Sequence, residues 1–72
     1  MRIPTEISFY DEHLGKRIRG SYVVKSKTIV VSSADGTKSA RLGAFQDRQG
    51  QEFLARSLLS ELARETAEGE RH

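Results

Sequence analysis

The chain contains no cysteine. No disulfide staples it and no Cys-based zinc site holds it, which removes two usual supports of a mini-domain. Long apolar runs are missing as well. Ile29-Val30-Val31 is far short of the ~20 residues that cross a bilayer. The start of the chain, Met1-Arg2-Ile3-Pro4-Thr5-Glu6, lacks an apolar signal core, which predicts an intracellular, cytoplasmic protein with no membrane partner. There is no GxGxxG and no P-loop; Gly15, Gly20, Gly36, Gly43 and Gly50 are scattered, and each has a turn, packing or cap explanation.

What remains is a chain of 72 residues, 36% hydrophobic and 31% charged. That length allows one domain, in which folding buries only ~60% of the extended-chain surface. The composition is too apolar for disorder and lies near the polar end of the globular range.

Twelve Lys and Arg oppose ten Asp and Glu, for a net charge of +2 and a pI near 9.3. The charges segregate. Residues 16–41 hold Lys16, Arg17, Arg19, Lys25, Lys27, Lys38 and Arg41 against Asp35 alone. From Glu52 onward, Arg56, Arg64 and Arg71 stand against Glu52, Glu61, Glu65, Glu68 and Glu70. The first expectation is that a basic middle and an acidic end attract each other.

Residues 5–42 read as strands. Ile7 and Phe9 share one side of the first, Ile18, Tyr22 and Val24 one side of the second, and Ala40 and Leu42 one side of the fourth. Residues 28–33 are rich in β-branched side chains, and Gly, Asp or Ser bounds each run. Asp35-Gly36 is the strongest hairpin signal, because a type I′ turn needs positive φ. Centring a hairpin there sets Val31 opposite Ala40 and Ile29 opposite Leu42. A second, on Ser26-Lys27, sets Val24 opposite Ile29 and Tyr22 opposite Val31. A third, around Leu14-Gly15, sets Ile7 opposite Tyr22 and Phe9 opposite Gly20. Ser-Lys is a poor I′ pair, so the Asp35-Gly36 register is the firmer one.

The three hairpins agree on faces. The inner face carries Ile7-Tyr22-Val31-Ala40 and Thr5-Val24-Ile29-Leu42, with Phe9 over Gly20. The outer face carries Ser8-Ser21-Ser32-Ser39 and Glu6-Val23-Val30-Arg41, with Tyr10 and Arg19 at one end. After Gly43 the period changes. Leu54, Ala55, Leu58, Leu59, Leu62 and Thr66 recur at helical spacing, as an apolar stripe needing cover. Asp47 is a candidate N-cap, and the helix starts between residues 48 and 52. Glu52 and Arg56 form an i,i+4 pair, and Gly69 is a stop signal. The predicted fold is α+β: a four-stranded antiparallel meander with one C-terminal helix on its inner face, over residues 1–66. Residues 67–72 are expected to fray.

No catalytic set emerges. Ser33, His13 and Asp35 have nothing local to make them a triad. Asp11-Glu12-His13 reads as a charged turn, with Glu12 facing Arg17, rather than as a metal site. His72 ends the chain. A pocket of ~300 Å3 beside so small a core is not expected. The reading is a non-enzymatic protein with no catalytic residue, metal ligand or cofactor.

Two interaction readings follow. In the first, the outer face is a protein-interaction surface of Tyr10, Arg19, Val23, Val30 and Arg41, and the chain self-associates as a dimer. Glu6 and Arg41 then pair reciprocally across a two-fold axis. A shared leucine stripe is the rival dimer, and another protein the rival partner. In the alternative, a nucleic-acid-associated accessory protein uses Lys16, Arg17, Arg19, Lys25, Lys27 and Arg41. Against it stand a single exposed aromatic, the carboxylate of Glu6, and cations spread over edges and turns. Lys38 and Arg41 are expected to protect the edge of strand 4 from pairing. Phe53 falls off the helix stripe and is expected to pack under the entry loop, with Phe45 as the candidate neighbour; anchoring a partner is the alternative.

Several segments together resemble a known group. They are Gly20-Ser21-Tyr22-Val23-Val24, Ile29-Val30-Val31-Ser32-Ser33, Asp35-Gly36, Ala40-Arg41-Leu42-Gly43 and the run from Leu54 through Ala63. The chain resembles short hypothetical proteins of proteobacteria, which share a G-S-Y strand, an L-G break and an L-A-R-x-L-L-x-E-L helix. The likeness covers residues 7–65. It departs at Asp47-Arg48-Gln49-Gly50, where the relatives have Pro-rich helix starts. The resemblance implies a bacterial, cytoplasmic setting and carries no activity.

Overall fold

The computed structural model describes residues 3–44 and 46–69. Four strands, β1 (Thr5–Asp11), β2 (Lys16–Lys25), β3 (Thr28–Ser33) and β4 (Gly36–Arg41), are followed by one helix, α1 (Arg48–Gly69). The strands form one antiparallel sheet in the order β1-β2-β3-β4. The helix packs on one face, giving the expected ββββα fold.

The β2–β3 register is as predicted, with Val24 opposite Ile29 and Tyr22 opposite Val31. The turn residues Ser26 and Lys27 both take positive φ, 51° and 62°. The poorest-looking turn pair therefore makes the I′ turn, because the ladder on either side demands it. The other two registers differ from expectation by two residues each. Ile29 faces Ala40 and Val31 faces Lys38, since the turn is centred on Ala34-Asp35. Gly36, with φ 131°, closes that turn, and the Asp35 amide donates to Ser33 Oγ at 3.1 Å. Phe9 faces Ile18 and Ile7 faces Gly20, because the first turn is wider. There the Leu14 amide donates to Asp11 Oδ1 at 3.0 Å, and the Gly15 amide donates to the Asp11 carbonyl at 2.7 Å. Gly15 takes φ 68°. Glu12 thus lies in the turn, and Tyr10 is the residue opposite Arg17. A two-residue slip exchanges neighbours and keeps every side chain on its face.

The N-cap prediction is met: Asp47 Oδ1 accepts from the Gly50 amide at 2.8 Å. The helix starts at Arg48 and runs to Gly69, into the segment expected to fray; residues 70–72 lie outside the described residues. Between the layers sit Ile18, Tyr22, Ile29, Val31 and Leu42 of the sheet side and Ala55, Leu58, Leu59, Leu62 and Ala63 of the helix. Each large aliphatic side chain there stabilises the fold by about 1.5–3 kcal/mol relative to exposure. Gly20 is covered by Leu59, where Phe9 was expected.

Candidate interaction face

The helix covers one face of the sheet and leaves the other open. Alternation along the strands turns Glu6, Ser8, Tyr10, Arg17, Arg19, Ser21, Val23 and Lys25 of β1 and β2 away from the helix. Thr28, Val30, Ser32, Thr37, Ser39 and Arg41 of β3 and β4 join them.

The corrected registers rearrange this face. Its rows are Tyr10-Arg17, Ser8-Arg19, Glu6-Ser21-Ser32-Thr37, Val23-Val30-Ser39 and Lys25-Thr28-Arg41. Glu6 and Arg41, expected in one row, are two rows apart. Val23 and Val30 are direct partners and half-buried. Tyr10 is 59% exposed. All residues of the predicted interaction face therefore do share a surface.

The basic residues gather more than expected. Arg17, Arg19, Lys25 and Arg41 occupy the same face, in two groups at opposite ends of β2, with Glu6 the one strand carboxylate beside them. All four are exposed. Arg17 donates to Ser8 Oγ at 3.5 Å; among the described residues none of the four is in an ion pair. Lys16 sits opposite Asp11 at the hairpin end, on the helix-facing side by alternation, and Lys27 lies in the turn. These two predicted contacts are off the face.

Lys38 is likewise on the helix side. Its ammonium lies 2.6 Å from Glu65 Oε1 and 3.3 Å from Glu61 Oε2. Instead of guarding the edge, it joins the basic middle of the chain to the acidic end, as the charge segregation suggested. Hydrogen bonding to Glu65, opposed by desolvation and aided by Glu61, raises its pKa above 10.5. On the helix, Arg56 donates to Glu52 Oε1 at 3.0 Å, and its guanidinium stands 5.9 Å from the Phe9 ring centre. The helix sequence mixes Arg48, Arg56 and Arg64 with Glu52, Glu61, Glu65 and Glu68, so it carries no comparable cationic excess.

One polar junction escaped the sequence reading. Asp11 is only 7% exposed. Hydrogen bonding from Ser60, then from the backbone at Leu14 and His13, with the charge of Arg64, holds its carboxyl below the ordinary 3.8 against the opposing effect of burial. Its place on the inward side of β1 was the available signal; its partner on α1 is 49 residues away (60 − 11). Glu12 and His13 are exposed in the turn, and His72 lies outside the described residues.

Two open hollows lie on the surface. One of about 570 Å3 opens between Glu6, Ser8, Arg19, Ser21, Ser33 and Ala34. Another, of about 540 Å3, opens between β1, β2 and the start of the helix near Arg48. Phe53 is 61% exposed, and Phe45, its expected packing partner, lies outside the described residues. Among the described residues no helix is long and apolar enough to cross a membrane. Compared with protein-family models, with curated proteins and with solved structures, the chain matches none of them.

Proposed function

We propose that this chain is a non-enzymatic interaction module that works through the helix-free face of its sheet. The carrying observation is the division of labour between the faces: the buried apolar cluster lies between helix and sheet, while the opposite face presents short side chains flanked by cations. Substitutions on such a face leave the core intact. Val23→Glu is expected to keep the fold and lose partner binding. A Val23→Glu chain that no longer melts cooperatively would mean that the face serves folding instead.

Self-association is a second reading, favoured by the Val23–Val30 pair at the centre of the face. It extends a small core, and a two-fold dimer is the commonest way to do so. Light scattering at high micromolar concentration tests it. A dimer mass that falls to the monomer on Val23→Lys with Val30→Glu supports a sheet-mediated dimer. A monomeric wild-type chain removes self-association.

A further inference from the structure

We infer that the partner of the helix-free sheet face is single-stranded nucleic acid, an assignment that rests on the interaction-module reading above. The first argument is charge complementarity. Arg17, Arg19, Lys25 and Arg41 share this face with Glu6 as their one strand carboxylate. Two copies stacked face to face would oppose cations to cations, and Glu6 is two rows from the Arg41 that was to pair with it. A polyanion meets the same surface with opposite charge at both ends.

The second argument is shape. Arg19 and Lys25 are six residues apart on β2, about 20 Å at the rise of a strand. Between them lie Ser21, Val23, Val30 and Ser32, short side chains that let bases approach the sheet. Ser8, Ser21, Ser32, Thr37 and Ser39 supply hydroxyls to sugar and phosphate, and Tyr10, 59% exposed, offers a ring for stacking at one end. A duplex fits poorly. The major groove is about 12 Å wide and admits a helix or a two-stranded ribbon, whereas four strands span about 14 Å between their outer axes before side chains are added.

The test is fluorescence anisotropy with a labelled 20-nucleotide oligothymidylate between about 25 and 300 mM salt. With two to four phosphate contacts, log affinity should fall with log salt at a slope of about −1.4 to −2.8. Arg19→Glu and Arg41→Glu should each weaken binding about tenfold or more and flatten the slope. Arg48→Glu makes the same charge change at the helix start and should leave affinity within about twofold. Tyr10→Ala should cost about tenfold, within the range for one stacked base, with the slope kept. Melting curves of each variant establish that it is folded.

No binding at about 50 mM salt overturns the inference, as does an equal loss on Arg48→Glu, which would mark diffuse charge attraction. Tighter binding of a duplex of the same length overturns it too. So does polyglutamate binding that matches the oligonucleotide with Tyr10→Ala silent, which would point to an acidic protein. If the oligonucleotide fails while Val23→Lys with Val30→Glu splits a dimer, the interaction face stands and the nucleic-acid assignment falls. If the oligonucleotide fails and the chain is monomeric and indifferent to polyglutamate, both readings fail.

Discussion

Gly20 on β2 and Leu59 on α1 meet so closely that a Cβ on residue 20 would lie 2.7 Å from Leu59 Cδ2. The same Cβ would stand 2.7 Å from the Ser32 carbonyl oxygen of the neighbouring strand, and that backbone cannot swing aside as a side chain can. The missing side chain is thus what lets the helix settle on the sheet. Gly20→Ala is expected to destabilise by about 1–3 kcal/mol through overpacking. Urea unfolding measures it. In the Gly20→Ala, Leu59→Ala double variant the losses should be less than additive, because the two positions share one contact.

Leu58 and Leu62 flank that contact, each 6% exposed. Replacing either by Ala removes buried methyl groups and leaves a cavity, at about 2–5 kcal/mol. Small domains have a total stability of about 5–15 kcal/mol. Each variant should lower the urea midpoint sharply, and an unchanged midpoint for both would show that the helix is not docked in solution.

Ser26 and Lys27 hold positive φ in the turn between β2 and β3. Left-handed backbone costs an ordinary residue about 1–2 kcal/mol, and Asn-Gly is the pair suited to this turn. Ser26→Asn with Lys27→Gly should raise stability by about 1 kcal/mol after the entropy cost of glycine. That corresponds to a melting temperature about 4–8 °C higher. The Lys27 carbonyl, which accepts from the Leu42 amide at 2.9 Å, is retained in the variant.

Asp11 and Lys38 bound the stability plateau from opposite sides. Asp11 has a folded pKa below 3.8. The unfolded carboxyl therefore takes up its proton first, so the stabilisation is present above that value and is lost as pH falls through the folded pKa. Lys38 has a folded pKa above 10.5. Its contribution is complete below 10.5 and disappears as pH rises through the folded value. Melting temperature followed from pH 2 to 12 should fall at both ends from these groups. Asp11→Asn should remove part of the acid limb only, and Lys38→Gln part of the alkaline limb only.

The strand faces, the helix stripe and the Asp47 cap were legible because they are local. A period of two or of 3.6 residues is written in neighbouring positions, and a cap lies three residues from the amide it accepts from. Turn centres were less legible. Asp35-Gly36 and Ala34-Asp35 give hairpins two residues apart with the same faces, so hydrophobic alternation cannot choose between them. The Ser33 side chain and the positive φ of Gly36 accompany the choice made in the structure. Other features were settled by distant contacts. The Asp11–Ser60 junction, the reach of Lys38 to Glu61 and Glu65, and the cover of Gly20 by Leu59 all depend on where α1 lies across the sheet.

The order of elements, the sidedness of every strand and the face that the helix covers are all written in residue spacing. Each of these follows from spacing and from the need to bury one apolar face on another. Which cations stand together depends on the folded sheet. Arg17, Arg19, Lys25 and Arg41 look scattered along the chain because linear order does not set distance across strands. The register does, and it places two of them at each end of one surface.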